Sequence, residues 1–239
     1  MKDVLGTALL DYYHGNYSED IITETNISEE DVLPLPYLFR SFSEMPLIEQ
    51  TALKAAKGRV LDIGCGSGSH SLYLQQQNHK VTAIDVSEGA VTVSRLRGVH
   101  HVVHTSLLQF EGPTFDTLLL LMNGSGIFGT LFHVSQYLQH LKSLLAPGGQ
   151  ILIDSSDLQY MYDAGEDGGI WVPGTHYYGE LEFTMRYKGE TSEWFDWLYL
   201  DEELFEEACI SNGLHFEIVA RGEHYDYLAR LTTVEHSRP

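Results

Sequence analysis

Three glycines, Gly64, Gly66 and Gly68, sit within VLDIGCGSGSH at residues 60–70 and carry the strongest chemical signal in the chain. They follow an apolar run with strand character and open a run with helical periodicity, so the backbone can turn tightly and a ligand can approach it closely. An acid, Asp85, ends the next strand-like run, KVTAIDV, 21 residues after Gly64. A carboxylate at that place accepts hydrogen bonds from both hydroxyls of a ribose. A dinucleotide fingerprint needs glycine at the sixth loop position, where this chain has Ser69. Asp62, just before the loop, suits a positively charged ligand better than a pyrophosphate. The pattern predicts a cationic ligand that contains a ribose.

A second glycine stretch, FDTLLLLMNGSGIFGTLF at residues 115–132, has no acid, base or nucleophile at its break. Met122 and Asn123 end its apolar run, and Gly124, Gly126 and Gly129 follow. These glycines either bring the backbone close to the bound ligand or permit a turn into the next helix. The first alternative predicts that Gly126→Val weakens ligand binding and leaves the fold intact. Cys65, inside the glycine loop, reads as a small space-filling residue rather than a nucleophile. The run HHVVH at residues 100–104 invites a metal, but strand alternation splits its histidines between faces and no companion ligands accompany it, so no metal is assigned. Should the chemistry need a general base, His14, His176 and Tyr178 are the candidates; should it need an aromatic wall for an amine, Trp171, Tyr177 and Trp194 are.

These residues require a scaffold. From Arg59 onward strands and helices alternate through RVLDIG, SHSLYLQQQ, KVTAIDV, SEGAVTVSRLRG, HHVVHTS, FDTLLLLM, FHVSQYLQHLKSLLA and QILIDSS. Continuous apolar strands in such a series mean a parallel sheet covered on both faces. After Asp154 the texture changes to an aromatic loop and a hairpin, ELEFTMRYKGETSEWFDWLYL, read as an insertion over residues 155–200. The scaffold resumes with a helix capped by Asp201 and ended by Gly213, then two strands. Residues 1–57 form a cap, helical in parts and interrupted by LPLPY, and residues 58–239 form the main domain.

The totals exclude several classes. The 239 residues are 43% hydrophobic and 20% charged, which is the composition of a folded protein. Two cysteines and no signal-like N-terminal segment predict a reducing cytoplasm. The longest apolar run is far too short for a membrane helix, so no membrane partner is expected. A net charge of −20 argues against a nucleic-acid partner, because phosphate binding depends on Lys and Arg. The acidic excess lies in the flanks, where it serves as a solvated surface or as a field for a cationic substrate.

Through VLDIGCGSG, the strand-ending acid of AIDVS, and LLAPGGQILID, the chain resembles the class I, Rossmann-like S-adenosylmethionine-dependent methyltransferases. The resemblance implies an α/β three-layer sandwich with a seven-stranded, mostly parallel sheet whose last strand is antiparallel. It implies S-adenosylmethionine as cofactor, S-adenosylhomocysteine as product, and a cofactor lying across the strand ends. By position, Gly64, Cys65, Gly66 and Gly68 would form its loop, Asp85 would hold the ribose, Val86 would pack on the adenine, and Ser106 with Leu107 would edge it. Asp62 would orient the methionine amino group, and Met122 with Asn123 would stand beside the methionine portion. Arg40, one of few basic residues in the cap, is a candidate partner for the cofactor carboxylate, against a plain surface ion pair. The absence of an Asn/Asp-Pro-Pro-aromatic motif at MNGSG argues against a nucleobase acceptor. A small-molecule acceptor is the leading expectation, for a monomer or homodimer. A protein methyltransferase and a non-catalytic cofactor-binding subunit are the alternatives, with a nicotinamide oxidoreductase behind them.

Overall fold

The computed structural model describes residues 2–162 and 176–234. In chain order its elements are α1 (Val4–Tyr13), β1 (Ile21–Thr25), β2 (Asp31–Leu33), α2 (Leu35–Leu38), α3 (Leu47–Ala55), β3 (Arg59–Ile63), α4 (Ser69–Gln76), β4 (Lys80–Asp85), α5 (Glu88–Arg97), β5 (Val102–His104), β6 (Phe115–Leu120), α6 (Leu131–Ser143), β7 (Leu145–Ser156), β8 (Glu180–Tyr187), β9 (Glu190–Thr191), β10 (Phe195–Leu198), α7 (Glu202–Ser211), β11 (Leu214–Arg221) and β12 (Asp226–Thr233). Seven strands form one sheet in the order β11-β12-β7-β6-β3-β4-β5. The pairs from β5 through β7 are parallel, and β12 is antiparallel to both of its neighbours. This is the three-layer architecture expected from the motifs.

Strand alternation sorts the apolar runs between two cores. Leu118 and Leu120 of β6, Leu61 and Ile63 of β3, and Ile151 and Ile153 of β7 join one core, which α6 and α7 cover. Leu119, Leu121, Val60 and Leu152 face the other, where Ile48, Ala52 and Leu53 of α3 meet Leu74 of α4. Burial on both faces is why LLLLM reads as one unbroken apolar run. The helix boundaries follow their caps: Ser87 accepts from the Ala90 amide, Asp201 from Leu204, and Gly98 ends α5 in the left-handed region.

The cap departs from a purely helical reading. Between α1 and α3 the chain forms β1 and β2, which join β8 and β10 in a second, antiparallel sheet in the order β10-β8-β1-β2, with β9 on β8. The segment IITET has too few residues and too little alternation to announce itself as a strand; its partner β8 lies far along the chain. Trp171, one of the expected aromatic walls, lies outside the described residues. Among the described residues no helix is long and apolar enough to cross a membrane.

Helix α1 is fixed to α5 through Asp3, whose carboxylate accepts from the Gly6 amide, the Ser87 hydroxyl and the Gly89 amide, each at 2.9 Å. A Cβ at Gly89 would overlap the backbone of Gly6. Gly89→Val is expected to lower the unfolding free energy by about 1–3 kcal/mol, since two backbones must separate. A chemical-denaturation midpoint equal to wild type would show that this close approach does not hold the cap.

Candidate functional site

The site lies at the carboxyl ends of β3, β4, β6 and β7, where parallel α/β sheets open their binding crevice. The glycine turn is tied to β4 by the Gly64 and Cys65 amides, which donate to the Ile84 carbonyl at 2.9 and 3.1 Å. Gly64, Gly66 and Gly68 all have positive φ, at 73°, 52° and 84°. The Gly66 and Ser87 amides donate to opposite oxygens of Asp85, each at 2.8 Å, and each oxygen keeps a further acceptor site. A Cβ on Gly66 would meet nothing within 4 Å, so the space above the turn is open. Val86, next to Asp85, is 69% exposed although apolar. An acceptor pair, open space over a close backbone and an apolar platform are what a ribose joined to a purine requires.

Beneath the turn, Asp62 is buried and accepts from Ser71 Oγ at 2.6 Å. Burial raises its pKa, with His70 and Ser71 pulling the other way. Cys65 is buried, and its Sγ lies 3.7 Å from Ser94 Oγ. Burial, reinforced by the charges of Asp62 and Asp85, pushes its thiol far above the usual range, so no thiolate nucleophile forms there at neutral pH.

Residues 37–40 of the cap are strapped onto the glycine turn. The Leu38 carbonyl accepts from the hydroxyls of Ser67 and Ser69, and Arg97 donates to both serine hydroxyls. Arg40 is buried, not a surface ion pair. Its guanidinium lies 3.8 Å from the Tyr37 ring centroid and donates to the Tyr37 carbonyl and to Glu49. The other Glu49 oxygen meets His70 Nε2 at 2.6 Å. Arg40 Nε is buried with no hydrogen-bond partner among the described residues. An unmet buried donor costs about 1–3 kcal/mol, which a carboxylate placed against it would recover.

The second glycine stretch turns on Asp154. The Met122 and Asn123 amides donate to Asp154 Oδ2 at 3.1 and 3.0 Å, and the Gly124 amide to Oδ1 at 2.7 Å. Met122 and Asn123 both adopt positive φ, 68° and 60°, a conformation that disfavours ordinary residues and is held here by that carboxylate. Burial raises the Asp154 pKa to about 6 against the pull of the Gly124 and Asn123 amides.

Beyond this corner, the chain end of β10 forms a second strap. The Leu198 carbonyl accepts from Asn123 Nδ2 at 3.3 Å and from Ser125 Oγ at 3.0 Å, and the Leu200 amide donates to Ser155 Oγ at 2.8 Å. Leu198 and Leu200 are fully buried in the core, so alternation turns Tyr199 to the opposite face. A Cβ at Gly126 would overlap the Trp197 indole, and one at Gly124 would crowd Leu120 Cβ at 2.5 Å. This corrects the expectation for Gly126: the residue makes room for the β10 tryptophan, so a larger side chain there strikes the hairpin.

The remaining candidates are dispersed. His14 is exposed at the carboxyl end of α1, and His176 has an 84% exposed side chain 4.0 Å from Glu180. The Tyr178 hydroxyl faces Asp157 at 2.9 Å and Asp201 at 3.2 Å. Burial, with Asp157 and Asp201 behind it, holds its proton far above the usual tyrosine range, so Tyr178 is no base near neutral pH. Tyr177 donates to Asp201 at 2.6 Å in the same cluster. Leu107 is buried, and Ser106 Oγ donates to Gln109 Oε1 at 3.1 Å. The sequence reading missed Glu49 and His70, which hold Arg40, and Asp154, which holds the Met122–Asn123 corner. Asp154 had a signal, an acid ending an apolar strand as Asp85 does; the others had none.

A family profile described as a methyltransferase domain matches residues 38–203. The fold is similar to that of a solved S-adenosylmethionine-dependent methyltransferase from Bacteroides fragilis, in complex with S-adenosyl-L-homocysteine, at 43% identity and TM-score 0.91, covering 98% of this chain and 96% of that one. A sugar N-methyltransferase from Streptoalloteichus shares the fold at 16% identity and TM-score 0.58, over 79% of this chain and 85% of that one. A tRNA U34 carboxymethyltransferase from Shewanella baltica is 31% identical over 130 residues, 49% of this chain; the chain spans only 36% of that relative's length.

Asp154→Asn replaces an acceptor oxygen with an N–H donor against converging amides, and is expected to cost about 2–3 kcal/mol in denaturation experiments. The wild-type carboxyl titrates at about 6 in the folded protein against an ordinary 3.8 in the unfolded chain, so folding favours its protonated form. It therefore adds stability as pH falls through 6 and withdraws it as pH rises through 6. The gap between wild type and Asp154→Asn should widen from about pH 7.5 to about pH 5, by at most about 1.4 kcal/mol per unit; a constant gap would show that Asp154 does not titrate there.

Proposed function

The chain belongs to the class I S-adenosylmethionine-dependent methyltransferase family, and on that premise we propose that it transfers a methyl group to a small-molecule acceptor. S-adenosylmethionine supplies a methyl already activated by a positive sulfur, so the protein's tasks are to bind, align and exclude water. Asp85 receives the ribose hydroxyls on its free acceptor sites, Gly66 gives backbone access, and Val86 carries the adenine, with Ser106 and Leu107 at its edge. Gly64, Cys65 and Gly68 shape the turn, and Asp62 acts from beneath it through a negative charge. Met122 and Asn123 form the corner beside the methionine portion.

Arg40 is the observation that carries the assignment furthest. Its Nε–H is buried with no partner among the described residues, and the amino-acid carboxylate of the cofactor would supply the missing acceptor once the packing around the guanidinium opens to admit it. Glu49 fixes the guanidinium by taking its other face, and His70 fixes Glu49.

A small acceptor is supported by the two straps. Residues 37–40 are hydrogen-bonded to the glycine turn and residues 198–200 to the corner after β6 and the end of β7, and chain segments fastened on both sides of the crevice favour a small acceptor. Residues 1–57 then serve as a lid and residues 155–200 as the acceptor-side insertion. The tRNA-modifying relative does not extend its substrate to this chain: the match covers half of it, and a net charge of −20 opposes a polyphosphate.

S-Adenosylhomocysteine at about 100 times its Kd should raise the melting temperature by roughly 5–10 °C, while NAD at the same concentration should not. No response to the first, or an equal response to both, would overturn the cofactor assignment. Arg40→Ala and Arg40→Lys should each raise the S-adenosylhomocysteine Kd about tenfold or more by calorimetry. The lysine variant keeps a cation beside Glu49, so a normal Kd in a folded Arg40→Lys protein would refute the role of Nε.

A further inference from the structure

We propose that Arg97 is a positioning residue for the cofactor: from behind the site it fastens residues 38–40 of the cap to the glycine turn, and so sets the affinity for the amino-acid end of S-adenosylmethionine. This rests on the methyltransferase reading above. Arg97 stands in the last turn of α5, one turn beyond Ser94. Ser94 Oγ donates to the Gly66 carbonyl at 2.9 Å and Arg97 Nη1 to the Ser67 carbonyl at 2.8 Å, so one face of α5 holds two successive carbonyls of the turn. Arg97 Nη1 also donates to the hydroxyls of Ser67 at 2.6 Å and Ser69 at 3.1 Å. Both hydroxyls pass the link on by donating to the Leu38 carbonyl. Nη2 reaches the Phe39 carbonyl at 3.4 Å, and the guanidinium carbon lies 4.8 Å from the Phe39 ring centroid. Phe39 packs in turn on Tyr12 of α1, 4.5 Å between centroids. One half-buried side chain therefore joins α5, the turn and the cap strap.

The chemistry of the contacts separates this clamp from an ordinary ion pair. Arg40 is paired with Glu49, whereas Arg97 donates to neutral oxygens and meets no carboxylate among the described residues. Its donors are thus all committed to the turn and the strap. A planar guanidinium fork can serve these spread acceptors together; a lysine ammonium is a point charge and cannot. The clamp is also one-sided. A Cβ on Gly66 would meet nothing within 4 Å, so Arg97 and Ser94 occupy the rear of the turn and leave its front open to a ligand. The strap held in this way carries Arg40, two residues beyond Leu38, to which the cofactor carboxylate is assigned above. The ribose side has other supports. The Gly66 amide remains on Asp85, the Gly66 carbonyl on Ser94, and the Gly64 and Cys65 amides on Ile84 when Arg97 is replaced. Loss of Arg97 should therefore weaken the hold on the amino-acid end and spare the hold on the nucleoside.

The test uses the full chain and two ligands, S-adenosylhomocysteine and methylthioadenosine, which keeps the adenine, ribose and sulfur but lacks the amino-acid group. The first Kd is read by calorimetry and the second by ligand-observed NMR, which reaches weak binding. Arg97→Met should raise the S-adenosylhomocysteine Kd about tenfold while the methylthioadenosine Kd stays within about twofold of wild type. Arg97→Lys, which keeps the charge and part of the donor set, should show the same selectivity with a rise of about threefold, and it carries the test if the methionine variant does not fold. In the Arg40→Ala background, Arg97→Met should weaken S-adenosylhomocysteine by no more than about twofold further, because both changes act on the same carboxylate. An unchanged S-adenosylhomocysteine Kd in the folded variants, equal losses for the two ligands, or fully additive losses in the double variant would overturn the proposal; equal losses are what a loosened fold would give. Failure of the wild-type protein to bind either ligand would instead overturn the methyltransferase reading itself.

Discussion

The carboxylate of Asp154 is the constraint on which the site is built. Three consecutive amides converge on it from the end of β6, and this convergence requires Met122 and Asn123 to adopt left-handed backbone angles. Such a conformation costs an ordinary residue about 1–2 kcal/mol, and three charge-assisted hydrogen bonds offset it. Once the corner is fixed, Gly124–Phe128 forms a short 3-10 turn, and Ser125 reaches both Ser155 and the Leu198 carbonyl. One buried charge thus sets where the end of the β10 strand docks.

The opposite wall follows the same logic with a different charge balance. Arg40, Glu49 and His70 come from the cap, α3 and the first turn of α4, and they meet out of water. Burial alone would raise the Glu49 pKa, but His70 and Arg40 outweigh it and keep the carboxyl below its usual range. Removing one partner of such a group leaves the other charge uncompensated in a poor solvent. The cap is therefore locked to the scaffold by charges that also frame the cofactor wall, which couples folding of residues 37–49 to the shape of the site.

Much of the scaffold was legible because its signals are local. Glycines after a strand, an acid at a strand end, caps at Ser87 and Asp201, and continuous apolar runs each act within a few residues, and all fell where the seven-stranded sheet needs them. The hairpin that supplies β8 and β10 was legible, but the rest of the second sheet was not, because β1 pairs with β8 across more than half of the chain and IITET shows little alternation by itself. Gly126 illustrates the same gap: its sequence setting suggested ligand access, whereas its missing side chain is filled by Trp197 from a distant hairpin.

The sequence by itself determined the sheet, the glycine turn and the ribose acid, since backbone freedom, periodicity and charge at a strand end are properties of short segments. It also determined that the protein is strongly acidic, which weighs against a nucleic-acid acceptor. Only the tertiary structure decided that Arg40 is buried with an unmet donor, that Asp154 organises the MNG corner, and that the Leu38 and Leu198 carbonyls tie two distant segments to the glycine turn and to that corner. These features are relations between segments far apart in the chain. Burial and unsatisfied hydrogen bonds exist only after those segments have met, so no local pattern could have carried them.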